Sequence, residues 1–141
     1  MKISLKRLNE NYHFETKNER GDVVYLDNKS EPDPKGASPM ELLLMGIAGC
    51  SGIDIVMILK KQKIELLDLQ MEVEGFRQDG AIPNVFTAIK LIVKLKGDFA
   101  PEKAKRAVDL SIDKYCSVAK MLEKTAEISY DVYLNGDLVE L

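Results

Sequence analysis

From Leu42 to Leu59 every position is apolar or glycine except Ser51 and Asp54. Ser38-Pro39-Met40-Glu41 stands just before this run, a capping box with proline at the first helical position. Lys60, Lys61 and Lys63 follow it and suit the negative end of a helix dipole. The pattern predicts a helix from Ser38 to Gln62. A helix with no polar side is either a core helix or a bilayer span. Asp54 near the centre would be costly in lipid, and the chain has no second such stretch. The expectation is a core helix, buried on all sides in a soluble protein.

Elsewhere the period is mostly two. Ile3 and Leu5 alternate with Lys2, Ser4 and Lys6, and Tyr12, Phe14 and Thr16 alternate with His13, Glu15 and Lys17. These read as strands, with His13 on the exposed, polar face. Gly21 marks a turn before a short strand at Val23 to Leu26. Asp27 to Ala37 is a loop carrying Pro32, Pro34 and Gly36, long enough to be functional or a plain connection. Leu67, Leu69, Met71 and Val73 alternate with acidic and amide side chains. So do Val85, Thr87, Ile89, Leu91, Val93 and Leu95 with lysines, and the two runs predict a long hairpin with one apolar face. Pro101 opens a second helix, in which Ala104, Ala107, Val108, Ile112, Tyr115, Ala119 and Leu122 share a face. Cys116 lies at the edge of that face. Ala126 to Leu134 forms a last strand, stopping at Asn135-Gly136. The order predicts an α+β fold with an antiparallel sheet, as a single domain over residues 1–141.

One sheet and one further helix have trouble surrounding an all-apolar helix in a 141-residue chain. A second copy is the simplest remedy, so a homodimer is expected. Gly46, Gly49 and Gly52 recur at steps of three inside the helix. Each costs about 1 kcal/mol against alanine, and bare backbone there lets a neighbouring helix approach closely.

A net charge of −3 with interspersed signs argues against nucleic acid or an anionic membrane as the main partner. The first residues lack an apolar run suited to a secretory signal, so the expected location is cytoplasmic. Two cysteines in 141 residues do not make a disulfide scaffold. With His13 the one histidine and no CxxC, neither a metal nor another cofactor is expected. Cys50, among the glycines and one turn before Asp54, has two readings: a small hydrophobe filling a tight spot, or a reactive thiol.

Pro39-Met40-Glu41-Leu42-Leu43-Leu44, then Gly49-Cys50 with Asp54, then Tyr115-Cys116-Ser117-Val118, together resemble the OsmC/Ohr superfamily. These are osmotically induced and organic-hydroperoxide-resistance proteins, and the resemblance covers nearly the whole chain. It implies antiparallel sheets packed around two long helices in an intertwined homodimer. It also implies a thiol peroxidase acting on organic hydroperoxides, with Cys50 as the peroxidatic cysteine, Cys116 as the resolving one and a dithiol as reductant.

The well-characterised members carry a glutamate directly after the helix-starting proline, where it orients an arginine beside the thiolate. Here Met40 holds that position and Glu41 is one residue on, where it also suits the cap of Ser38. Arg20 best matches the arginine position of the Ohr branch, with Arg77 second. Two other readings stand beside the peroxidase: a redox-sensing dimer with little turnover, and a structural dimer whose cysteines only fill the core.

Overall fold

The computed structural model describes residues 1–140. The chain divides into two compact units, Met1–Leu43 and Leu44–Leu141. The first holds an antiparallel meander, β1 (Ile3–Arg7), β2 (Phe14–Asn18) and β3 (Val23–Leu26). The predicted alternation is present, but His13 is half-buried with its ring 5.6 Å from that of Tyr25. It precedes β2 rather than lying in a strand, so strand alternation does not set its direction.

The loop after β3 is closed at its neck. Asp27 is buried, and its two carboxylate oxygens accept from the Asn28 and Lys35 backbone N–H groups at 2.7 and 2.8 Å. Leu26 bridges Ala37, and Gly36 passes so close to the Tyr25 carbonyl that a Cβ there would collide with backbone. The Lys35 and Asn28 N–H groups hold the Asp27 carboxyl below its usual range. A depressed carboxyl stabilises the fold above the unfolded pKa and loses that contribution as pH falls through the folded value. Protection of the Lys35 amide from hydrogen exchange is therefore expected to fall below about pH 4. In Asp27→Asn it should already be reduced at neutral pH, and an amide equally protected in both proteins would contradict the neck assignment.

α1 (Pro39–Lys61) begins as its sequence predicts. Glu41 N–H donates to Ser38 Oγ at 3.2 Å and the Glu41 carboxylate accepts from Ser38 N–H at 3.0 Å, a completed capping box. At its other end Lys63 adopts φ 57°, Lys63 N–H donates to Lys60 O, and Ile64 N–H donates to Leu59 O. That is a Schellman closure with lysine where glycine is usual.

In the second unit β4 (Asp68–Arg77), β5 (Phe86–Lys96), β6 (Glu127–Leu134) and β7 (Asp137–Leu138) form one sheet in that order. The long hairpin is present, with Val73 opposite Leu91. Inward alternation holds from Ile89 to Leu95, but Phe86 rather than Val85 faces the core at the start of β5. A register shift at Phe76/Arg77 and the open space over Gly75, which the Phe86 ring fills, account for the change of phase. The sheet is mixed rather than antiparallel throughout: β5 and β6 run parallel, from Ile89 beside Ile128 to Leu95 beside Leu134. Parallel neighbours need a crossover of a dozen or more residues, and the helical stretch between β5 and β6 supplies it. At the β6–β7 turn Asn135 and Gly136 take φ 52° and 88°. The Asn135 side chain donates to Gly97 O at 2.8 Å and accepts from Gly97 N–H at 3.1 Å.

The helices depart from expectation in two ways. α1 buries one stripe, Ile47, Ser51, Ile55 and Leu59, while Leu43, Met45, Val56 and Met57 are exposed and Ile53 is 64% exposed. Buried on all sides is therefore incorrect for the single chain. The stripe repeats every four residues, which is one face of a helix; its flanks are half-buried, and the side carrying Met45, Ile53, Val56 and Met57 stays open in the single chain. The second helix is also not continuous. α2 (Pro101–Leu110) passes into a π-helical turn, Ser111–Tyr115, closed by Cys116 N–H donating to Ser111 O at 2.7 Å. Cys116 is then extended, and α3 (Ser117–Leu122) starts after it. Ala104, Ala107, Val108, Ile112 and Ala119 are buried as predicted, but the turn swings Tyr115 outward.

Candidate functional site

Cys50 precedes Ser51, the middle of the buried α1 stripe, and so stands at the margin between the covered and open faces. It is half-buried. Ser51 Oγ donates back to Ile47 O at 2.7 Å, satisfying the one hydroxyl in that stripe. The gaps at Gly46 and Gly52 are moderate, with Val118 and Leu69 as the nearest side chains, and at Gly49 the chain leaves open space. No neighbour within the chain therefore requires glycine at these positions.

Cys116 arrives by a different route. In a regular continuation of α2 it would have stayed at the edge of the apolar face. A π turn holds one residue more than an α turn, and the extended Cys116 that follows turns its side chain fully inward, at 0% exposure. It serves as the N-cap of α3, its Sγ accepting from Ala119 N–H at 3.4 Å. Burial pushes the Cys116 thiol up to about 11; the Ala119 N–H opposes this and the neighbouring Cys50 sulfur adds to it. At neutral pH Cys116 is a protonated thiol.

The two cysteines meet. Cys50 Sγ, Cys116 Sγ and one Asp54 carboxylate oxygen all lie within 4.8 Å of one another. Asp54 is one turn beyond Cys50 on the same side of α1, as the spacing requires. Ser111 joins the group from the π turn. Its fully buried hydroxyl lies 3.1 Å from Ser51 O and 3.4 Å from Asp54 Oδ2, linking the turn to α1. Sequence reasoning did not single out Ser111. The available signal was a serine three residues after Val108, a polar group on an apolar stripe. Asp54 also borders a cavity of about 410 Å³ whose walls include Met57, Ile58, Leu110 and Tyr115, with Lys61 at its rim.

The other expected site residues are engaged elsewhere. Arg20 is exposed and paired with Asp22, Nη2 to Oδ2 at 2.8 Å. Glu41 closes the α1 cap, and its hydrogen bonds from the Ser38 backbone and hydroxyl hold its carboxyl low. Arg77 lies over the Phe86 ring, 5.2 Å from its centre. The residues drawn together around Cys50 are Cys116, Asp54 and Ser111.

Residues 32–131 match the family model for OsmC-like protein. Protein YhfA of Escherichia coli K12 is 43% identical over 115 residues, which is 79% of this chain and 84% of that protein. The OsmC-like protein of Mycoplasma pneumoniae superposes with a TM-score of 0.81 at 22% identity, covering 94% of this chain and 95% of that one. The organic hydroperoxide resistance protein OhrB of Bacillus subtilis superposes with a TM-score of 0.68 at 19% identity, covering 95% and 96%. At these identities the two structures show a shared fold.

Proposed function

The chain belongs to the OsmC-like protein family, and from that premise we propose that it is a thiol-dependent peroxidase that reduces organic hydroperoxides. The observation that carries this reading is the pair of sulfurs, from α1 and from the start of α3, within 4.8 Å of each other. Cys50 is the partly open member and Cys116 the closed one. The Cys50 thiolate attacks the distal oxygen of the hydroperoxide, the O–O bond breaks, an alcohol leaves and Cys50 becomes a sulfenic acid. Cys116 condenses with it, releasing water and forming a disulfide. A dithiol then reduces that disulfide by exchange. The reaction suits a protein of the cytoplasm, where thiol reductants are at hand.

Peptide mapping after treatment with one equivalent of cumene hydroperoxide tests the reading. A Cys50–Cys116 disulfide within one chain is expected, with a sulfenic acid trapped on Cys50 in Cys116→Ser. Two free thiols after excess hydroperoxide would sink it.

A second reading has support in the engaged arginines and in Met40. A redox-sensing protein would form the same disulfide once and recycle it poorly. Consumption of hydroperoxide beyond one equivalent per chain in the presence of dithiothreitol separates the two.

The peroxidase reading includes a homodimer. The open face of α1, with Met45, Gly49, Ile53, Val56 and Met57, is apolar, and the space over Gly49 admits a close neighbour. Gly49→Leu is expected to shift the protein from dimer to monomer in sedimentation velocity at micromolar concentration, since a leucine there would overpack the contact. A wild-type monomer under the same conditions would defeat this assembly.

A further inference from the structure

We propose that Cys50, Cys116 and Asp54 bind a thiophilic divalent cation of the zinc class, and that this occupancy closes the thiol pair to oxidation. The second clause rests on the peroxidase reading; the first stands on the geometry alone. The absence of CxxC and of further histidines excludes a site assembled from one loop. It does not exclude ligands one helical turn apart on α1 joined by a third from the start of α3. That is the arrangement here, with the three donor atoms within 4.8 Å of one another.

The dimensions suit the ion. Zinc takes sulfur at about 2.3 Å and carboxylate oxygen at about 2.0–2.2 Å, so tetrahedral donors stand roughly 3.6–3.8 Å apart. Closing from 4.8 Å needs about 1 Å of travel, which side-chain rotation supplies. Two thiolates and one carboxylate are a soft-to-borderline donor set, fit for zinc and cobalt and poor for magnesium or calcium. The surroundings are those of a ligand site. Ser111 Oγ lies 3.4 Å from Asp54 Oδ2 and shares its one proton between that carboxylate and Ser51 O at 3.1 Å, and Ala119 N–H already faces Cys116 Sγ.

Binding changes no oxidation state. The metal takes both sulfurs as thiolates, two metal–sulfur bonds form, and the protons displaced from sulfur pass to solvent. The sulfur lone pair that would attack a peroxide is then held in a bond to the metal.

The test is anaerobic titration of the fully reduced wild-type chain with cobalt(II), without peroxide. Thiolate-to-cobalt charge-transfer absorption in the near ultraviolet and d–d bands in the visible are expected, saturating at one cobalt per chain. Zinc should bleach them. Cys50→Ser and Cys116→Ser should each remove the charge-transfer pattern of the pair, and Asp54→Asn should weaken binding about tenfold or more. Circular dichroism checks that each variant is folded. A readout free of substitution is protection: one equivalent of zinc should slow alkylation of both wild-type thiols, and EDTA should restore it. No charge-transfer band at micromolar cobalt, or a band that survives Cys50→Ser, would overturn the site. Hydroperoxide turnover is measured separately in EDTA, so binding and catalysis can fail independently. Metal binding that leaves the rate of hydroperoxide-driven disulfide formation unchanged would overturn the closing role.

Discussion

Cys50→Ser is expected to lower hydroperoxide consumption on the order of 10³-fold or more, because a serine hydroxyl cannot replace a thiolate as nucleophile toward the O–O bond. Cys116→Ser should behave differently. The first equivalent of hydroperoxide should still be consumed at close to the wild-type rate, after which turnover should stall at the Cys50 sulfenic acid. The asymmetry follows from the surroundings of each sulfur. Cys116 is fully enclosed and its thiol is raised to about 11, so on the peroxidase reading it should meet peroxide poorly and act as the resolving partner of Cys50. Stopped-flow consumption of cumene hydroperoxide, with single-turnover and steady-state phases resolved, is the measurement. If Cys116→Ser loses the first turnover and Cys50→Ser keeps it, the roles are reversed.

The second large effect lies in the core of the sheet. Leu91→Ala is expected to cost about 2–5 kcal/mol of stability. Leu91 has no exposure and sits at the middle of β5, paired with Val73 on one side and Tyr130 on the other. A strand held from both sides cannot move in to fill the lost volume. A lower urea midpoint at fixed protein concentration, with the slope unchanged, is the expected result. A midpoint within experimental error of wild type would mean that the β4–β5–β6 core can collapse around the cavity.

Much of this was legible in the sequence. Ser38 and Glu41 announced the start of α1 because a capping box satisfies two backbone donors at fixed spacing. The β4–β5 hairpin was visible because one buried face imposes a period of two. Cys50 and Asp54 could be placed on one side of α1 because the helix is regular there. What failed to show was irregular or non-local. The apolar positions from Ala104 to Ala119 fit one continuous helix, and a single π turn with an extended cysteine disturbs them little. Yet that small change carries Cys116 from the edge of the helix to the centre of the site. The parallel pairing of β5 and β6 was hidden because each strand's own alternation is the same in either direction. The open face of α1 was hidden because composition reports how apolar a helix is, and not which of its sides the chain can cover. Lys63 looked like a charge for the helix dipole and proved to be the left-handed closing residue as well.

The Asn135–Gly136 turn bears on how the protein ages. An asparagine followed by glycine is prone to succinimide closure, in which the glycine nitrogen attacks the side-chain carbonyl and ammonia leaves. In the folded chain both ends of the Asn135 amide are tied to Gly97, its nitrogen to the carbonyl and its oxygen to the N–H. The carbonyl that would be attacked is thereby held at a neighbouring strand end, and its freedom to rotate toward Gly136 is restricted. Succinimide closure at this turn is therefore expected to be slower in the folded chain than in the unfolded one, with isoaspartate at position 135 in native and urea-unfolded samples aged side by side as the measurement.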